Sequence, residues 1–147
     1  MIQFYQPSYV KGLSEFAYIY NLNEQIVEVD ADILFSSNGT IVGAITHSLG
    51  TSTIQLGNAG NYAIWFYAEV VEANQFTLFQ NGLPVAGTIY GSGSGTQMNQ
   101  GMVIISAIAA DILTVRNYKS ASAVTLQTLA GGTEINSNAS ILIQKIS

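Results

Sequence analysis

No long segment of this chain carries the 3.6-residue period of a helix. Short runs of β-branched and aromatic residues recur instead, separated by Gly, Asn and Ser. That alternation of strand formers and turn formers predicts an all-β fold. The runs place strands near Glu15–Leu22, Gln25–Val29, Ile33–Phe35, Ile41–His47, Ser52–Leu56, Asn61–Glu72, Gln75–Gln80, Leu83–Tyr90, Gln97–Ile108, Ile112–Asn117, Ala123–Leu129 and Ser140–Ile146. So many short strands in one domain predict a β-sandwich, and a jelly roll is the natural version at this length.

Local turn chemistry refines this reading. In QNGL, Asn81-Gly82 joins two apolar runs. Both residues tolerate φ > 0, so a two-residue type I′ hairpin is expected there. In SSNGT, Asn38-Gly39 is expected in a longer turn before Ile41. Pro84 puts its strand at an edge or on a bulge. The stretch YGSGSGTQ, Tyr90 to Gln97, has the composition of a linker. Strand patterns run on both sides of it, and the part after it is too short and too poor in aromatic residues for a core of its own. It therefore reads as a surface loop of one domain. Residues 1–14 read as an N-terminal arm, broken by Pro7, and 15–147 as the folded domain. The stretch MIQFYQPSYVKG lacks the basic start and apolar core of a signal peptide.

Several strand runs are apolar on both faces. In FAYIY, Phe16, Tyr18 and Tyr20 point one way and Ala17 and Ile19 the other. In YAIWFYAEVV, Tyr62, Ile64, Phe66, Ala68 and Val70 alternate with Ala63, Trp65, Tyr67 and Glu69. In MVIISAIAA both sets are apolar or small. A strand of this kind needs a cover on each side. One cover is the facing sheet. The other is a neighbouring subunit or, alternatively, a further layer of a thick sandwich.

Charge points towards the subunit. Only 9% of residues are charged, with 4 Lys and Arg against 9 Asp and Glu, where typical domains carry roughly a quarter. A surface so poor in charge is a hazard for a monomer. It suits a chain partly covered by copies of itself. The four basic residues, Lys11, Arg116, Lys119 and Lys145, are scattered and cannot neutralise a phosphate track, which excludes nucleic acid as a partner. No apolar run is long enough for a membrane helix. There is no cysteine, so neither disulfides nor thiol chemistry enter.

Catalytic patterns fail one by one. His47 is the sole histidine, and a triad would have to use it. Ser48 points to the opposite strand face, and no Gly-x-Ser-x-Gly elbow surrounds Ser92 or Ser94. His47 reads as a strand-end residue with a satisfied hydrogen bond. The Gly91–Gly95 stretch does not meet Gly-x-Gly-x-x-Gly, and no helix follows it. One histidine and no cysteine cannot build a zinc site. Glu28, Asp30 and Asp32 share a strand parity and read as a solvated acidic edge, since no calcium-loop pattern completes them. Asn38-Gly39-Thr40 and Asn138-Ala139-Ser140 match the short glycosylation pattern and are given no role. No catalytic, metal or cofactor-binding residue is assigned.

Two regions carry a resemblance. GNYAIWFYAEV resembles the Gly-x-Tyr-x-Phe-x-aromatic strand of the complement globular-head and tumour-necrosis-factor superfamily. Gly60, Tyr62 and Phe66 match it, and Ile64 stands for the middle Phe. The run from QFTLFQNGLPVAGTIYGSGSGTQ through VTLQTLAGGTEINSNASILIQKIS, with the early FAYIYNL and the segment Gly43–Ser48, resembles a second group. This is the C-terminal domain of collagen-like glycoproteins on the outer surface, the exosporium, of bacterial spores. The resemblance spans Glu15 to Ser147. It implies an all-β, TNF-like jelly-roll sandwich of about ten antiparallel strands, a compact homotrimer, and an extracellular place at the tip of a surface filament. No Gly-X-Y repeat occurs in the sequence, so the likeness is to the globular tip and not to a stalk.

The expected function is a non-enzymatic structural module for trimerisation and surface display. A receptor- or carbohydrate-binding trimer is the alternative, using loop aromatics such as Tyr90. Phe16, Tyr18, Tyr20, Tyr62, Trp65, Phe66 and Tyr67 are expected to share the aromatic burial between core and trimer axis. With few ionisable groups, stability is expected to vary little with pH around neutrality.

Overall fold

The computed structural model describes residues 12–147. Most of the expected N-terminal arm, Pro7 included, lies outside them. The described residues form thirteen strands: β1 Phe16–Asn21, β2 Gln25–Val27, β3 Ser37–Val42, β4 Ile45–His47, β5 Ile54–Leu56, β6 Gly60–Glu69, β7 Asn74–Gln80, β8 Leu83–Pro84, β9 Tyr90–Ser92, β10 Met98–Ala107, β11 Asp111–Asn117, β12 Val124–Leu126 and β13 Ala139–Lys145. All pairings are antiparallel. The first sheet runs β10-β6-β13-β1-β3. The second runs β4-β5-β11-β7-β8, with β9 also on β7, and β12 pairs β2 as a small flap. The first and last strands thus lie side by side inside one sheet, as a jelly roll requires.

The period-2 pattern explains which sides meet. Ala17 and Ile19 on β1, Tyr62, Ile64, Phe66 and Ala68 on β6, and Ala139, Ile141 and Ile143 on β13 are all buried. They face Phe76 and Leu78 on β7 and Leu113 and Val115 on β11 in one continuous core. That core draws on residues either side of the Gly-Ser stretch, so the stretch divides nothing. Buried polar residues occur inside strands, as Thr77 on β7 and Thr114 on β11 do, and at strand starts. Glu15 accepts from the Ala44 amide at 2.6 Å and from Asn58 Nδ2 at 3.1 Å, tying the start of β1 to two loops.

The Asn81-Gly82 hairpin forms as its chemistry requires, with φ of 52° and 78°. Pro84 lies on a two-residue edge strand. Several expectations need correction, among them the strand Ile41–His47, which breaks at Gly43 (φ 93°) into the end of β3 and β4. Asn38-Gly39 is inside β3 and not in a turn. A Cβ on Gly39 would stand 2.9 Å from the Tyr18 ring, so this glycine serves close approach between strands. The expected strand Leu83–Tyr90 breaks after Pro84, because Gly87 turns the chain at φ 80°. Ile33–Phe35 is held by isolated bridges at Asp32 and Phe35 and forms no strand. The Gly-Ser loop is shorter than expected, since Tyr90–Ser92 is β9, paired with Asn74–Phe76.

One carboxylate pins the hairpin tip. Asp111 accepts from Asn81 Nδ2 at 2.8 Å, Gln80 Nε2 at 2.9 Å and the Ile108 amide at 3.0 Å. The Asn81 and Gln80 bonds hold its carboxyl below the usual 3.8. A depressed carboxylate stabilises fully above its unfolded value and loses that contribution as pH falls through the folded value. Melting temperature is therefore expected to stay flat from neutrality to about pH 5 and to drop below about pH 4. Asp111→Asn should be less stable at neutral pH and less acid-sensitive in a thermal melt. An acid drop of unchanged size in that variant would assign the transition to other groups.

Candidate functional site: an uncharged sheet face

The first sheet has a second side, and strand register orders it into rows. Val42, Phe16, Gln144, Ala63 and Ile104 pair across β3, β1, β13, β6 and β10. Tyr18, Leu142, Trp65 and Met102 form the next row, and Tyr20, Ser140, Tyr67 and Gln100 the third. None of these side chains is charged. Exposure is high where a monomer would place polar groups: Trp65 is 41% exposed, Met102 61% and Ile104 65%. Among the described residues no further layer covers this face. Soluble monomers rarely leave so continuous an apolar patch open.

The face is preorganised. The Tyr18 and Tyr20 rings stack with centroids 5.4 Å apart. Gly39 supplies the space beneath Tyr18. Tyr67 donates to Glu69 at 3.0 Å at one end of the patch. Burial, then Glu69, pushes the Tyr67 phenol far above its usual range. Both causes favour the neutral phenol, the form that donates to Glu69.

Of the seven aromatic residues singled out in the sequence, five lie on this face: Phe16, Tyr18, Tyr20, Trp65 and Tyr67. Tyr62 and Phe66 point into the core. The Tyr62 hydroxyl donates to the Asn58 carbonyl at 2.7 Å. Met98, Met102, Ile104 and Leu142 were not singled out, although they complete the patch. For the three on β10 the signal is the parity of MNQGMVII, which sets Met98, Met102 and Ile104 opposite Asn99, Gly101 and Ile105, and for Leu142 it is the alternation of SILIQ, which sets it opposite Ile141 and Ile143.

The remaining candidates sit elsewhere. His47 ends β4, with Nδ1 2.6 Å from Asn38 Oδ1 and Nε2 2.8 Å from the Thr51 carbonyl. The ring lies between two acceptors, and either neutral tautomer donates to one of them, tying β4 to β3 or to the following turn. The shared strand parity of Glu28, Asp30 and Asp32 does not occur. Asp30 has φ 63° in a turn and pairs with Lys119 at 2.8 Å, while Asp32 pairs with Arg116 at 2.7 Å. Arg116 in turn stacks on Phe79, 3.9 Å from the ring centroid.

Two layers, the nested first and last strands and the open apolar side of one layer define an all-β jelly roll of the TNF and complement globular-head kind. The globular domain of zebrafish complement 1qA has the same fold, with a TM-score of 0.70 at 10% identity over 91% of this chain and 98% of that one. Eiger TNF from S. frugiperda gives 0.66 at 13% over 90% and 92%. PRD1 vertex protein P5 gives 0.61 at 15% over 93% and 100%. At such identities the likeness is one of fold. No protein-family model matches the sequence, and no curated protein matches it.

Proposed function

We propose that this chain is a non-enzymatic structural module that assembles as a homotrimer through the outer face of its first sheet and is displayed outside the cell. The observation that carries this reading is the uncharged patch running from Phe16 through Leu142 and Trp65 to Met102 and Ile104. A threefold ring is heterologous, so one part of each face meets a different part of the next. The patch offers two unlike parts. Stacked tyrosines lie at the β1 end and flexible methionines at the β10 end, and Met fits irregular aromatic surfaces well. The neighbours in fold, a complement head domain and a TNF ligand, support an extracellular setting. Placement at the tip of a spore-surface filament rests on the order of sequence segments.

Static light scattering at micromolar concentration is expected to give three times the chain mass of 15.7 kDa. A monomeric mass would sink the proposal. A second reading, a binding module, is favoured by an open groove on the other sheet.

A further inference from the structure

That groove lies where the ends of β7, β9 and β11 meet. Its volume is about 350 Å³, and Asn74, Gln75, Gly91, Gly93, Lys119 and Ser120 line it. This is at the lower end of small-ligand sites, which run from about 300 to 1,000 Å³. None of these residues belongs to the first sheet, so the groove is separate from the trimer face.

Its floor and its polar groups point to one ligand chemistry. Gly91 stands opposite Gln75 across the β7–β9 pair. A Cβ on Gly91 would come no closer than 3.4 Å to Gln75 Cγ, and one on Gly93 would meet nothing within 4 Å. The glycines therefore leave a flat, open shelf beside an exposed carboxamide. The Gln75 backbone is already engaged, its amide with Ser120 Oγ at 2.9 Å and its carbonyl with the Tyr118 amide at 3.0 Å. Its side-chain amide makes no hydrogen bond among the described residues. On the far wall Lys119 Nζ meets Asp30 Oδ2 at 2.8 Å, with both side chains open to solvent.

We infer that this groove takes a neutral polyhydroxylated ring, a pyranose of a glycan. Lys119 is matched by Asp30, so the site carries no net positive charge for a phosphate or a sulfate. It has no large apolar side chain for a lipid tail. A carboxamide and a carboxylate–ammonium pair each offer a donor beside an acceptor, the pattern that vicinal hydroxyls need. The small residues of the shelf let a ring lie flat against the backbone. The inference is independent of the trimer reading.

The test uses the assembled protein, ¹⁵N-labelled, titrated with the methyl glycosides of mannose, galactose, glucose and N-acetylglucosamine, and with sodium sulfate. At least one glycoside is expected to give saturable amide shifts at Gly91, Gly93 and Ser120 with a millimolar Kd. Gly91→Val fills the shelf with a strand-forming side chain and should weaken that binding by at least about tenfold. Gln75→Ala should weaken it by about five- to tenfold. Molar mass by light scattering should not change in either variant. The inference is overturned if no glycoside shifts these amides up to about 50 mM, if both variants bind as the parent does, or if sulfate binds more tightly than every sugar. A lost trimer with intact sugar shifts would count against the assembly proposal alone.

Discussion

If the chain assembles as proposed, Trp65→Glu is expected to leave a folded monomer. Trp65 sits mid-row, flanked by Leu142 and Met102, with Tyr67 two residues on along the same face. Its side chain takes no part in the core, so the fold has little to lose. The assembly has much to lose. Truncating a central interface tryptophan to Ala usually weakens association by about 2–4 kcal/mol. Glutamate adds the penalty of an unpaired carboxylate buried among apolar groups, which is several kcal/mol more. A closed threefold ring repeats the loss at three interfaces. Light scattering should then report one chain mass at micromolar protein, and the far-ultraviolet circular dichroism should match the parent. Trimer mass retained in Trp65→Glu would move the interface off this face.

The sequence made half of that argument visible. Period 2 in FAYIY assigned Phe16, Tyr18 and Tyr20 to one side and Ala17 and Ile19 to the other, and the structure keeps that division. In β6 both alternating sets are aromatic, so hydrophobicity could not choose the core side. Read from sequence, the two sets of β6 stay undecided, although one charge carries the answer: Glu69 shares parity with Ala63, Trp65 and Tyr67, and a carboxylate avoids the interior. Asn38-Gly39 misled because turn propensity is local, whereas the demand for a glycine there comes from Tyr18 on a neighbouring strand. The Gly-Ser stretch misled for the same reason. Gly91 is a strand residue, and Gly95 is fixed by the close approach of the Val71 carbonyl, with the Thr96 amide bonded to the Val70 carbonyl at 3.0 Å. The groove on the second sheet left no sequence signal, since Gln75 and Lys119 meet only through the pairing of β7 with β11.

The neighbouring residue should behave in the opposite way. Phe66→Ala is expected to unfold the chain more readily, whatever the assembly does. Phe66 is buried, and its ring meets the edge of Tyr90 at 5.8 Å between centroids. Gly101 lies opposite it in register, and a Cβ there would collide with both the Phe66 and Tyr90 rings. Gly101 therefore makes room for Phe66. Losing the ring leaves a cavity between backbones that the β6–β10 ladder holds apart, so collapse is limited and the loss should be about 3–5 kcal/mol. Gly101→Val overfills the same space and should cost about 1–3 kcal/mol or more. In the double variant the valine occupies part of what the phenyl ring vacated, so its loss should be smaller than the sum of the two. Urea unfolding followed by circular dichroism, on the Trp65→Glu background to keep assembly out of the measurement, gives all three values. Simple additivity would mean that the ring and the glycine do not share one space.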